Sequence, residues 1–157
     1  MRSILIAITI IVVVIAAFLI YYYIVQPGEN EEKPLYEFSL IGRKTNTSGW
    51  TLAKGSTRTY SMWVSTTEVK VKRGTPVEIL FYAWIFDPKG SQPKTFTFTL
   101  FNGEEKREFN FSIEYNKPYY EGVFRLRITG LKKGAHSFSI TWNNFNLSVN
   151  VKVIVEP

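Results

Sequence analysis

A single histidine, a single aspartate and no cysteine set the chemical limits of this 157-residue chain. Without thiolates there is no disulfide framework, no cysteine nucleophile, no Cys-ligated zinc or iron–sulfur site, and no blue-copper centre. His136 is the one candidate general base or imidazole ligand. It alternates with Phe138 and Ile140, and no triad or acidic cluster is spaced to converge on it. The expected state is an inward-facing, hydrogen-bonded side chain. Asp87 sits in Asp87-Pro88-Lys89-Gly90, where an aspartate caps a turn. The other carboxylates are glutamates. Glu104, Glu105 and Glu108 crowd one segment and Glu29, Glu31 and Glu32 another, without the spacing of a calcium loop. No enzyme activity, no metal and no cofactor are expected from this inventory.

Recognition is the work left. The formal net charge is +6. Lys54, Arg58, Lys70, Lys72, Arg73, Lys132 and Lys133 could meet anionic lipid headgroups, glycans or an acidic protein. The plainer account is solvated strand faces and turns, with edge lysines discouraging edge-to-edge association. No basic stripe with interleaved stacking aromatics is visible, so nucleic acid is not an expected partner. Of the four tryptophans, Trp84 lies in the run Phe81–Phe86 and is expected between packed sheets. Trp50 lies in the polar segment Thr45–Thr59, within the longest stretch that lacks a strand pattern. It could pack inward, but an exposed loop aromatic is a typical contact anchor. Trp50, Lys54 and Arg58 are the candidate partner contacts.

These residues must be held by two kinds of element. From Ile4 to Val25 the chain runs 22 residues without a charge. A helix of that length rises roughly 33 Å, enough to cross a hydrocarbon core of about 30 Å. Tyr21, Tyr22 and Tyr23 close the run at the expected membrane–water boundary. Gln26-Pro27-Gly28 ends the helix. Arg2 precedes the span, while Glu29, Glu31 and Glu32 follow it, so the positive-inside rule places the N-terminus in the cytoplasm. A cleaved signal peptide is the rival, although its apolar core should be about 7–15 residues. The expected organisation is a cytoplasmic tip (1–3), a transmembrane helix (4–25), a stalk (26–35) and an extracytoplasmic domain (36–157). Sequons at Asn46, Asn110 and Asn146 suit that placement and are the glycosylation candidates, though a chain this rich in Asn, Ser and Thr yields some by chance.

Beyond the stalk, period-two alternation recurs with no sustained helical period. It predicts strands near 36–42, 60–65, 68–72, 76–86, 94–101, 104–115, 122–129, 135–142 and 146–155. Seven to nine short strands separated by turn signals predict an all-β sandwich or barrel. Asn102-Gly103 suits a two-residue type I′ turn, which would pair Phe101 with Glu104, Phe98 with Arg107 and Phe96 with Phe109. Phe96, Phe98 and Leu100 then share a face with Phe109, Phe111 and Ile113, opposite Thr95, Thr97, Thr99, Glu108 and Asn110.

The segment Phe124–Ile128, Thr129–Gly134 and Ala135–Ile140 resembles the E-strand, corner and F-strand of immunoglobulin-like domains, with His136 where a corner tyrosine often stands. That resemblance implies an immunoglobulin-like sandwich and no function. In layout and size the whole chain resembles the archaellum stator protein (FlaF-type) family. This implies a membrane anchor, an immunoglobulin-like domain and a surface-layer partner, with no residue roles carried over. The alternatives are an accessory subunit of a respiratory or transport complex, or a filament subunit exchanging Tyr36–Ile41 as a donor strand. Small residues for close helix packing are few (Ala7, Thr9, Ala16, Ala17), which favours a plain anchor. The expected partners are the lipid bilayer and a cell-envelope protein, and an oligomer is compatible with both.

Overall fold

The computed structural model describes residues 2–25, 32–92 and 95–157. It divides into two compact units, Met1–Lys33 and Pro34–Pro157. The first contains the helix α1 (Arg2–Val25), uncharged beyond Arg2 and exposed from Arg2 to Ile24. Isoleucine and valine are mediocre helix formers in water. In an apolar medium, only backbone bonds within the segment can satisfy its N–H and C=O groups. By length and composition α1 can cross a membrane. Tyr21, Tyr22 and Tyr23 occupy its last turns. The tip residue Met1, the exit Gln26-Pro27-Gly28 and the stalk residues up to Glu31 lie outside the described residues.

The second unit is a stack of two β-sheets. The first sheet orders β1 (Leu35–Gly42), β9 (Tyr119–Thr129), β5 (Val77–Phe86), β3 (Tyr60–Val64) and β2 (Thr51–Leu52), with β8 (Tyr115–Asn116) also on β9. The second orders β4 (Glu68–Lys72), β11 (Leu147–Glu156), β10 (Gly134–Trp142), β6 (Thr95–Phe101) and β7 (Lys106–Ser112). Among the described residues every pairing is antiparallel except β4 with β11. The nine longer strands fall where alternation predicts them; β2 and β8 are two-residue additions.

Alternation places the core. Phe81, Phe96, Phe98, Phe124, Phe138 and Trp142 are fully buried between the sheets. Phe38 reaches in from β1 and contacts five rings, those of Phe81, Phe98, Phe109, Phe111 and Phe124, at 5.2–5.9 Å. Pairs of this kind add about 0.5–1.5 kcal/mol each beyond their buried area.

Two expectations are corrected. The hairpin pairs Phe101 with Lys106, Phe98 with Phe109 and Phe96 with Phe111, a shift of two residues from the predicted register. The cause is the Asn102 side chain, whose Oδ1 accepts hydrogen bonds from the Glu104 and Glu105 amides at 2.9 and 2.8 Å. It widens the turn to a four-residue loop. A shift of two keeps every side chain on its predicted face, because the pleat repeats every two residues. The second correction is Trp84. It points away from the core, across from Glu121 on β9 and Ser61 on β3, while Trp142 fills the interior.

One connection shapes the outer side of the first sheet. Gly42, Val123, Tyr82, Trp63 and Leu52 form one row across β1, β9, β5, β3 and β2. The segment 43–50 must therefore join the two edges of this sheet, four strand spacings or about 19 Å apart. A detour around the sheet end would roughly double that path, beyond the ~30 Å that nine Cα–Cα steps can reach. The inner face is filled by core, so 43–50 is a strap across the outer face. This accounts for the burial of Glu121 and Val123, which alternation aims away from the core.

Candidate functional site

The strap gathers much of what could recognise a partner. Arg43 and Lys44 begin it, Asn46 turns it and Trp50 ends it. The Ser48 amide bonds Asn46 Oδ1 at 3.0 Å, the Trp50 amide bonds the Thr47 carbonyl at 2.9 Å, and Gly49 supplies the positive φ of +79° between them. Trp50 is half-buried, and Lys54 and Arg58 are exposed in the following loop. Lys54 bridges to Ser148 at the start of β11, whereas Lys72 and Arg73 sit at its far end beside Glu156. Eight residues of strand, about 26 Å, separate them. The basic residues therefore form two groups rather than one patch.

Beneath the strap lies a carboxylate. Glu121 is 5% exposed. Its Oε2 accepts a hydrogen bond from the Tyr82 hydroxyl at 2.5 Å. Among the described residues its Oε1 accepts none, and the cation paired with it, Lys44 Nζ, stands at 3.7 Å. Lys44 itself is 68% exposed. Burial, then the hydrogen bond to Glu121 and its negative charge, push the Tyr82 phenol well above its ordinary value. The native state thus holds this proton more tightly than the unfolded chain. Stability is expected to be complete below about pH 10, the ordinary phenol value, and to fall as pH rises past it. Tyr82→Phe should flatten that alkaline slope in pH-dependent thermal unfolding; an unchanged slope would assign it elsewhere.

Glu121 also borders a break in the sheet edge. On the same side of β9, β1 pairs with residues from Val123 onward and β8 pairs with Tyr119 and Tyr120. Glu121 and Gly122 lie in the gap between them. A cavity of about 470 Å³ opens there, between Leu40, Gly42 and Arg43 on one side and Ser112, Ile113 and Glu114 on the other, with Glu121 on its wall. It is large enough for a small ligand or a side chain.

The other singled-out residues are structural in their contacts. Asp87 is buried, and its carboxylate accepts from the Lys89 and Gln92 amides at 3.2 and 2.7 Å and from the Ser91 hydroxyl. Burial opposes its ionisation, but these donors outweigh it and hold the carboxyl below its usual range. Its share of stability is present above the ordinary aspartate value and lost as pH falls through the lowered one. His136 is half-buried, on the side of β10 that carries Phe138, and its Nε2 meets the Lys132 carbonyl at 2.7 Å. Asn46, Asn110 and Asn146 are all exposed. Among the described residues no three His, Asp or Glu side chains gather as a metal site would require.

Sequence reasoning passed over Glu121, Tyr82 and Lys44. Counting outward from Phe124 puts Glu121 on the outer face, but its burial comes from the strap, which has no local signature.

No family model and no curated protein matches this sequence. Solved structures similar to it include β-glucosidase from Listeria innocua. One structure, with glucose, has 8% identity and a TM-score of 0.41 over 60% of this chain and 16% of the enzyme. A second has 10% identity and a TM-score of 0.42 over 78% of this chain and 22% of the enzyme. The chain thus spans less than a quarter of these enzymes' length, and a likeness this distant says nothing about activity.

Proposed function

We propose that this protein is a non-catalytic, single-span membrane protein whose β-sandwich stands outside the cytoplasm and binds a protein of the cell envelope. Anchoring an archaellum-like machine to the surface layer is the particular role we favour. The observation that carries the binding reading is the strap, which spreads two cations, a sequon and Trp50 over the outer face of the first sheet. The apolar α1, with Arg2 at its start and glutamates following it in the sequence, supports the anchored, N-in arrangement. Exposure of all three sequon asparagines agrees with an external, glycosylated domain.

Strand order supports an immunoglobulin-like type. Read as A, B and E, the strands β3, β5 and β9 share one sheet; read as G, F and C, β11, β10 and β6 share the other. The chain passes from β3 to β4 by changing sheets, and β1 takes the place beside E that strand D would hold. The His136–Lys132 contact parallels a tyrosine corner. Donor-strand exchange is disfavoured, because β1 supplies Tyr36 and Phe38 to its own core.

The test is capture from envelope fractions by the full chain in detergent. A surface-layer partner supports the proposal, whereas recovery of integral membrane proteins alone would support an accessory subunit instead. Trp50→Ala should weaken capture about tenfold or more, as loss of an aromatic anchor does, with the unfolding midpoint unchanged. A lowered midpoint without loss of capture would make Trp50 a packing residue.

A further inference from the structure

Glu121 is an awkward residue to find under a strap. A buried carboxylate needs a cation and a full set of donors, since an uncompensated charge is costly to desolvate. Here Oε2 is satisfied by Tyr82, Oε1 accepts no hydrogen bond, and Lys44 lies beyond hydrogen-bonding distance on a mostly exposed arm. The unfilled acceptor belongs to a residue that walls the cavity in the sheet edge. We propose that this notch receives a lysyl side chain from a protein partner, with Glu121 taking the ammonium and Lys44 serving as the internal stand-in that it displaces.

Three features select that occupant. One carboxylate oxygen, buried without a hydrogen bond and paired only with the displaceable Lys44, suits an ammonium, a compact point charge; a guanidinium fork seeks two oxygens, and Tyr82 holds the second. Leu40 and Ile113 offer aliphatic walls for a four-carbon stem. The notch is also a gap in a β ladder, between the β1–β9 and β8–β9 pairings, so an extended peptide can align its backbone there. Arg43 and Glu114 both line the opening, so their opposite charges offset one another there.

The inference names the chemistry of the partner and rests on the reading of the sandwich as a binding module. Its test uses the full chain in phosphatidylcholine–phosphatidylglycerol nanodiscs, whose headgroups carry no primary ammonium. N-acetyl-lysine methylamide is titrated while the methyl resonances of Leu40 and Ile113 are followed, with N-acetyl-norleucine methylamide as the uncharged control. The lysine probe should shift both resonances and the norleucine probe neither. Glu121→Gln keeps an acceptor for Tyr82 and should weaken the lysine probe at least tenfold. Lys44→Ala removes the competitor and should tighten it several-fold. Equal response to both probes, or weaker binding in Lys44→Ala, overturns the proposal. Envelope capture run beside it separates the two claims: capture intact with no probe response defeats the notch alone, and capture lost from the native chain defeats the binding module.

Discussion

Phe124→Ala is expected to cost the sandwich about 3–5 kcal/mol, the usual toll of deleting a buried ring from a packed core. Phe124 is fully buried on β9, the strand that joins β1 to β5. Its ring lies 4.7 Å from Phe98, 5.0 Å from Phe111, 5.9 Å from Phe38 and 6.3 Å from Phe96. Those neighbours come from both sheets, so no single strand can relax inward to close the hole. Gly122 adds to the constraint: a Cβ there would stand 2.9 Å from Phe124 and from Leu40, so the ring already occupies the space beside its own strand. For a unit of this size the loss corresponds to a fall of about 10–20 °C in Tm. Thermal unfolding of the full chain in detergent, followed by β-sheet circular dichroism, measures it. Phe101→Ala, at the exposed end of β6, serves as the control and should change Tm by only a few degrees. Equal effects at the two positions would mean that the aromatic cluster is not the source of stability.

The fold was legible wherever a strand has one polar face. In β6 and β7 the threonines and charged residues mark the outside, and the face assignment survives even though the Asn102 turn is misjudged by two residues. In β5 legibility fails locally, because Leu80, Tyr82, Trp84 and Phe86 make the outer face nearly as apolar as the inner one. The charge at Glu78 sets the parity there: with Glu78 outward, Trp84 must be outward too. The same counting from Phe138 and Ile140 puts Trp142 inside, where it is fully buried.

The candidate site was less legible, for a physical reason. Lys44 and Glu121 are 77 positions apart and meet only because a strap crosses β9. Its crossing depends on β1 and β2 lying at opposite edges of one sheet. No periodicity encodes that. What the sequence does show is a polar, glycine-containing stretch too long for a simple turn, and such stretches often carry binding elements. The strap's placement converts that general hint into named neighbours.

Removing residues 1–33 is expected to move the chain wholly from the membrane to the soluble fraction, with the sandwich still folded. The unit Pro34–Pro157 contains the whole hydrophobic core, so nothing it needs for packing is lost. The energetics of α1 can also be tested by substitution. Its fifteen Ile, Leu, Val and Phe residues together favour insertion by about 5–9 kcal/mol on a biological insertion scale, while each central arginine opposes it by about 2.5–3.5 kcal/mol. Ile11→Arg alone should therefore remain membrane-bound. Combined with Val13→Arg and Ile15→Arg, the cost rises to about 8–10 kcal/mol and the balance reverses. Alkaline carbonate extraction, followed by fractionation, reads the outcome. Release of the single variant would show that the helix holds the membrane more weakly than its composition allows. Retention of the chain lacking residues 1–33 would place the membrane contact on the sandwich, and a native mature chain starting beyond Gln26 would make α1 a cleaved signal; either result ends the single-span reading.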